Sequence, residues 1–366
     1  MMKRNILAVV IPALLVAGAA NAAEIYNKDA NKLDLTGRVH AGYKFNNQEV
    51  DNKDNTNARM GFKGQTQITS DVTGYGTFEY QFDANKAEDN NAGSGKTRKA
   101  FAGLKFADVG SFDFGRNTGV AYNGMAYTDV LPENGGDSSV TDTLTGRIGN
   151  AATYNTSNFF GLVDNLGFGL QYVAKDDKSS TVDLTTGENV DRNHGDAWAT
   201  SLSYDTDFGV GIVASYGSYE RTADQRTSSA QGERADVWAT GLKYDANNIY
   251  VAATYGQARN FYNTGSEVAA SAIADESKIF EVVAQYNFDF GLTPTLAYVS
   301  RKDKVDTTAA TAKNDYAVKY ASVGATYAFN KNFSTYVEYD INLLKKDNQY
   351  ALKNNDSVDV GVIYQF

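Results

Sequence analysis

A two-residue alternation recurs along most of this chain, and it limits the possible folds more than any other feature. In Ser357–Phe366, Val358, Val360, Val362, Tyr364 and Phe366 share one face. Ser357, Asp359, Gly361, Ile363 and Gln365 share the other. A period of two is the period of a strand. An apolar face backed by a polar one over about ten residues suits a strand with lipid on one side and water on the other. The pattern returns in Leu33–Phe45, Gly74–Phe82, Phe208–Tyr216, Ile249–Tyr255, Phe280–Phe288 and Phe333–Leu343. Asp196–Asp205 (DAWATSLSYD) and Asp236–Asp245 (DVWATGLKYD) echo one another. Each puts Trp and Tyr at opposite ends of one apolar face, as the two aromatic girdles of a membrane barrel require.

The connections alternate in length. Asp205–Asp207, Asp245–Asn248, Asp289–Gly291 and Asn330–Asn332 are short turns, whereas Asn46–Thr56, Asp83–Lys96, Lys175–Asp196, Arg221–Asp236, Gln257–Lys278, Arg301–Asp315 and Lys345–Asn355 are long and polar. Short turns on one rim and long loops on the other are the two ends of a barrel. The count of strands is about sixteen, and barrels of that size enclose an aqueous channel. The expected fold is therefore all-β, a sixteen-stranded antiparallel transmembrane barrel. A soluble β-sandwich or propeller is the alternative. It would use the apolar face as a core and needs no aromatics at both strand ends.

The N-terminus supports export. Lys3 and Arg4 precede the apolar run Ile6–Ala20, and Ala20-Asn21-Ala22 is a small-x-small cleavage site. Residues 1–22 read as a signal peptide and residues 23–366 as the barrel. Loss of Lys3 and Arg4 with the leader moves the formal charge from −10 to −12. That balance gives no reason to expect nucleic-acid binding. The chain has no cysteine and only His40 and His194, so thiol-held metals are excluded and imidazole chemistry has few candidates. No metal or other cofactor is expected. The mean hydropathy of −0.43 is compatible with a barrel, because half of each strand faces water.

One connection differs from the rest. Gly115–Arg147 is long, acidic and punctuated by glycine, with Asp129, Glu133, Asp137 and Asp142. Tyr122, Met125, Tyr127, Val130, Leu131 and Pro132 mark it as an ordered loop that packs on something. Once the strand faces are assigned, the inward charges follow. Arg38 lies on the polar face of the first strand. Met60, Phe62 and Ile68 face lipid, so Arg59 points inward. With Phe101 on the outer face, Arg98 points inward with Lys96, and Lys99 points outward. Arg147 opens the strand after the loop, with Ile148 beside it pointing out. Arginines from four strands thus surround one lumen that also receives an acidic loop.

Several motifs resemble the general diffusion porins of the enterobacterial outer membrane, the osmoporin and phosphoporin group. They are AEIYNKD at Ala23–Asp29, ARMGFKG at Ala58–Gly64, TGYGTFEY at Thr73–Tyr80, FAGLKFADVGSFDFGRN at Phe101–Asn117, YTDVLPENGGD at Tyr127–Asp137, ATYNTSNFFGLVD at Ala152–Asp164, ATGLKYDANNIY at Ala239–Tyr250 and the terminal VIYQF. The resemblance implies a homotrimer set in outer-membrane lipid and lipopolysaccharide, open to ions and small hydrophilic solutes. It implies that the third external loop, Thr118–Thr145, folds inward and narrows the lumen. Asp129 and Glu133 would form its acidic side. Arg59, Arg98 and Arg147 would form the basic side, with Arg38 at the position of a family lysine. Tyr122 and Lys96 would line the pore, and Glu88 and Arg116 would make trimer contacts. Asn123 stands where relatives often carry Asp, and Asn134 replaces an aromatic residue.

Passive diffusion with a weak cation preference is the expected function. The rivals are a sugar-specific channel, which needs a luminal aromatic track, and an outer-membrane hydrolase. Neither His40 nor His194 has a local nucleophile motif.

Overall fold

The computed structural model describes residues 23–46, 53–85, 95–107, 109–136, 138–141, 143–176, 193–226, 232–264, 273–306 and 312–366. Residues 1–22, the expected signal peptide, lie outside them, as do Glu88, Asp137 and Asp142.

Sixteen long strands form one closed antiparallel barrel. They are β1 (Asn31–Asn46), β2 (Asn57–Gln67), β3 (Val72–Asp83), β4 (Gly95–Phe106), β5 (Gly110–Thr118) and β6 (Arg147–Thr156). Next come β7 (Leu166–Val173), β8 (Ala197–Asp205), β9 (Val210–Glu220), β10 (Arg234–Ala246) and β11 (Ile249–Arg259). The last are β12 (Glu276–Tyr286), β13 (Leu292–Val305), β14 (Lys313–Ala328), β15 (Phe333–Asn342) and β16 (Ser357–Gln365). Each pairs with its neighbour in sequence, and β16 closes on β1 from Ser357 opposite Asn46 to Gln365 opposite Arg38. The short strand Ala23–Lys28 pairs with β1 beyond that point, with Ala23 opposite Leu35. Phe366 exchanges backbone hydrogen bonds with Gly37. The two ends of the described chain therefore lie end to end along β1, and the seam has no unpaired edge. Closure matters because lipid offers no partner for a free N–H or C=O.

The outer face carries the apolar half of each strand. Val39, Met60, Phe82, Phe114, Leu202, Ile212, Leu242, Leu296 and Val337 are all exposed on it. Trp198 and Trp238 sit towards the long-loop rim, their rings tilted against Tyr216 at 5.1 Å and edge-on to Tyr255 at 5.8 Å. At the short-turn rim, Phe288 lies 4.7 Å from Tyr286, and Phe329 lies 4.9 Å from Tyr327. These rows are the two girdles. Phe208 and Phe288, expected within strands, fall just beyond them in the turns. They extend the girdle instead of the wall.

Two local irregularities shift residues from their expected face. In β4 the register against β3 slips between Glu79–Lys99 and Tyr80–Thr97, which leaves Arg98 as an extra residue. A bulge of this kind restarts the alternation. Lys99 therefore stands opposite luminal Glu79, and Phe101 opposite luminal Thr77. Both were expected to face outward, and both face the lumen. In β6, a slip opposite Gly115–Asn117 and a left-handed Asn150 (φ 53°) turn Ile148 inward. It is 3% exposed and packs with Leu144 and Val173, not against lipid.

Candidate functional site

The connection from β5 to β6, residues 119–146, does not stay at the rim. It begins with a 3-10 turn at Val120–Gly124 and folds onto the inner wall. Val120, Ala121, Met125 and Leu144 bury against Val173, Ala199, Val237 and Ala239. Val130 and Leu131 bury against Tyr250, Ala252, Val283 and Tyr320. The driving force is ordinary hydrophobic burial, because the alternative inside the barrel is water. Each fully buried aliphatic side chain contributes about 1.5–3 kcal/mol.

Hydrogen bonds fix the loop's path. Ser215 Oγ donates to Ala121 O at 2.7 Å, Tyr250 OH to Tyr127 O at 2.6 Å and Gln285 Nε2 to Val130 O at 3.0 Å. Glu281 of β12 is 1% exposed and collects three hydroxyls of the loop. They come from Thr128 (2.5 Å), Ser138 and Ser139 (3.3 Å).

The tip is held by a polar clamp. Glu338 Oε2 accepts the backbone N–H of Glu133 at 2.7 Å. Asn134 Nδ2 donates to Asp340 at 2.7 Å and to Asp359 at 3.0 Å, and Tyr320 OH donates to Asn134 O at 2.7 Å. Lys44 balances part of that charge, 3.3 Å from Asp359. Asn134 thus makes by hydrogen bonds the attachment that an aromatic side chain would make by packing.

Two of the loop's acids, Asp129 and Glu133, are held by tyrosine hydroxyls. Asp129 Oδ2 accepts the Tyr122 hydroxyl at 2.6 Å. Glu133 Oε2 accepts the Tyr336 hydroxyl at 3.2 Å. Behind Tyr336 stands His40, whose Nε2 is 2.9 Å from that hydroxyl and 3.7 Å from Glu133 Oε2. Its Nδ1 is 3.2 Å from Asn57 Nδ2. An amide nitrogen only donates, so Nδ1 accepts and the ring proton sits on Nε2. The row Asn57, His40, Tyr336, Glu133 therefore hands hydrogen bonds in one direction and fixes the carboxylate. Burial raises both loop carboxyls above the ordinary acid range, against the opposing pull of Arg147 on Asp129 and of Arg38 on Glu133.

The basic wall is built by β1, β2 and β4. Arg38 stands opposite Arg59 in register. Arg59 Nε donates to Gln81 Oε1 at 3.0 Å, and Arg98 Nη1 donates to the same oxygen at 3.2 Å. Arg98 Nε also pairs with Glu79. The bulge at Arg98 places Lys99 on this wall too, and Lys96 lies above it opposite Gln81. Arg147 enters from β6, where it stands opposite Thr118. Arg116 does not join them. It shares the outward face with Ala100, and its Nε donates to Thr97 O at 2.9 Å. On the short-turn side, the lumen opens into a cavity of about 840 Å³ lined by Lys63, Gln65, Tyr75, Lys105, Asp113 and Asn123.

Sequence reasoning missed Glu79, Glu281, Glu338, Asp340 and Asp359. All five lie on polar strand faces; the alternation already puts Glu79 and Asp359 there without giving them a role, and it could have located the other three as it located the arginines.

Comparison with known proteins gives the family. The model for "Gram-negative porin" matches residues 28–366. The chain belongs to the Gram-negative porins. Outer membrane porin F of Escherichia coli (strain K12) is 51% identical over 375 residues, spanning all of both chains. Outer membrane protein F of Serratia marcescens is 50% identical over 382 residues, again spanning both. A solved structure, Salmonella typhi OmpF in complex with daunomycin, superposes with a TM-score of 0.85 at 41% identity, covering 94% of this chain and 100% of that one. This porin is a general diffusion channel of the Gram-negative outer membrane, a water-filled barrel for ions and small hydrophilic solutes. Its family and fold are those of a channel rather than an enzyme.

Proposed function

We propose that the infolded loop and the arginine wall form the zone that decides what passes. Asp129 and Glu133 act from the loop, and Arg38, Arg59, Arg98 and Arg147 act from the wall, with Lys96 and Tyr122 lining the approach. The supporting observation is that opposite charges are held on facing elements by partners that leave them little freedom. Glu133 is tied to Tyr336, and Arg59 and Arg98 to Gln81. Unit charges a few Å apart in reduced dielectric interact by several kcal/mol, so a transverse field spans the opening. A polar solute aligns its dipole with that field and regains lost water contacts. An apolar solute must displace oriented water and gains nothing. Fixed charge then biases ion preference.

The net charge favours cations and the arginines oppose that, so the reading is a weak cation preference. Replacing Asp129 or Glu133 by Ala shifts the reversal potential in a salt gradient towards anions. An unchanged potential in both variants refutes the role of the loop. The functional unit in this reading is a homotrimer embedded in outer-membrane lipid and lipopolysaccharide, with Glu88 and the outward-facing Arg116 at the contact. Single-channel closures in three equal steps test it. No catalytic role is proposed: His40 contacts an amide, a phenol and a carboxylate, and His194 contacts the Gly195 carbonyl.

A further inference from the structure

The clamp at the loop tip brings together three groups that can react with one another. Lys44 Nζ, on β1, donates to the side-chain carbonyl Oδ1 of Asn134 at 3.2 Å. The other end of that amide, Nδ2, donates to Asp359 Oδ2 at 3.0 Å and to Asp340 Oδ2 at 2.7 Å. Asp359 Oδ2 also lies 3.3 Å from Lys44 Nζ. One carboxylate oxygen therefore touches both the amine and the amide nitrogen. Asp359 is 1% exposed, and its Oδ1 has no hydrogen-bond partner among the described residues, so its contacts run through Oδ2. The Lys44 side chain is 29% exposed, which leaves a path from the clamp to the lumen.

The backbone of Asn134 is held on both sides. Its N–H donates to Glu338 Oε2 at 3.4 Å, and its C=O accepts the Tyr320 hydroxyl at 2.7 Å. Only the side chain is left to turn. With a carbonyl bond of about 1.2 Å, Nζ lies no more than about 4.4 Å from Cγ. Attack needs that carbon, not the oxygen, to face Nζ. Rotation about χ2 of an asparagine is soft and brings it round. A primary amide is a poor electrophile towards a free amine in water. An amine fixed at this range has an effective concentration of about 10⁵ M or more once aligned, which offsets much of that reluctance.

We propose that Lys44 and Asn134 join in an isopeptide bond, with Asp359 as the proton carrier. The Asp359 carboxylate takes a proton from the Lys44 ammonium, which leaves the neutral, nucleophilic amine. The amine lone pair forms the Nζ–Cγ bond. Asp359 hands its proton to Nδ2, and the Cγ–Nδ2 bond breaks with its electron pair going to nitrogen. The second proton lost by Nζ passes through the same oxygen to the released ammonia, which departs as ammonium. The charge of Lys44 becomes that of the ammonium, nothing is oxidised or reduced, and Asp359 ends as it began. This is a single self-modification without turnover. It ties the loop tip to β1 across 90 residues of sequence, and a link over so long a stretch also restricts the unfolded chain.

The test weighs the protein extracted from outer membranes, intact and after trypsin. The bond removes one ammonia, about 17 Da. It also leaves the peptide Val39–Lys53 joined to Asn117–Arg147, because trypsin does not cut after an acylated Lys44. The parent is expected to be lighter by that mass and to yield the joined peptide. Lys44→Arg and Asn134→Ala have their full mass and yield the two segments separately. Asp359→Asn keeps an acceptor for Nδ2 but cannot carry the proton, and its linked fraction falls about tenfold or more. The variants are scored on protein that conducts in a planar bilayer, and the parent's mass decides by itself where a variant does not fold. Full mass and separate peptides in the parent overturn the proposal. The same loss of mass without the joined peptide, kept in Lys44→Arg, overturns it in favour of a succinimide at Asn134-Gly135. Linkage in Asp359→Asn equal to the parent's overturns the part given to Asp359.

Discussion

Glu133→Gln isolates one charge. The substitution keeps the side-chain shape, and the backbone N–H of residue 133 stays on Glu338. The Tyr336 hydroxyl, 3.2 Å from Oε2, donates equally well to an amide oxygen. The loop therefore stays in place and only the charge leaves. A monovalent ion passing about 5 Å from the carboxylate gains about 0.8 kcal/mol at the dielectric of water and about 3 kcal/mol at an effective value near 20. The lower figure is the better guide in a wet lumen, and it corresponds to about a fourfold change in local cation occupancy. With a Debye length of about 8 Å at physiological salt, screening roughly halves that energy and brings the change to about twofold. Loss of the carboxylate also leaves the Arg38 charge less compensated, which acts in the same direction. The assay is the reversal potential of the reconstituted channel in a potassium chloride gradient. The expected result is a shift towards anions, with the cation-to-anion permeability ratio falling about two- to fourfold and the conductance changing little. A shift towards cations, or none, refutes the reasoning.

Other outcomes follow from the same geometry. Burial raises the carboxyls of Asp129 and Glu133, so each takes up its proton at a higher pH than an ordinary acid. Protonation removes negative charge, and cation preference therefore declines as the pH falls from neutral. A preference that rises on acidification contradicts this. Lys99→Glu shifts selectivity towards cations, because Lys99 faces the lumen opposite Glu79. If residue 99 faced lipid, the variant would leave the reversal potential unmoved. Glu281→Ala takes the acceptor from the hydroxyls of Ser138 and Ser139, while Thr128 keeps Thr254 Oγ1 at 3.1 Å and Met125 O at 3.3 Å. Each unsatisfied buried hydroxyl costs about 1–3 kcal/mol, so the loop loosens and single-channel current becomes noisier while the barrel persists. A quiet trace equal to the parent's counts against Glu281 as an anchor.

Much of the barrel was legible because the constraint behind it is simple. A strand between lipid and water must alternate, and Val358–Phe366 or Leu33–Phe45 could hardly do otherwise. The faces of Arg38 and Arg59 followed directly. Alternation fails where a single residue is inserted, and nothing in KTRKAFAGLKF marks the bulge at Arg98. Arg98 was placed on the correct side for an insufficient reason, while Lys99 and Phe101 were placed on the wrong one. Ile148 failed in the same way, at Asn150. A second limit was the assumption that the lumen is polar all round. Tyr250, Ala252, Val237 and Val283 point inward, because the loop covers that half of the wall and asks for an apolar seat. The loop's composition announced that it packs on something. The wall partners that hold it lie from 51 residues away, at Gln171 on Val120, to 225 residues away, at Asp359 on Asn134, and no local pattern names them.

The central claim is that the described residues of the 119–146 connection lie inside the barrel with the tip clamped to β15 and β16. The chain has no native cysteine, so Asn134→Cys with Asp340→Cys tests this cleanly; their side chains lie 2.7 Å apart in the clamp. Oxidation, or a short bis-methanethiosulfonate that forms a disulfide with each thiol and releases sulfinate, joins the pair in the folded channel and leaves the conductance essentially unchanged, because the loop is already there. Failure of the two thiols to join, or a link that forms only with a large drop in conductance, contradicts the account.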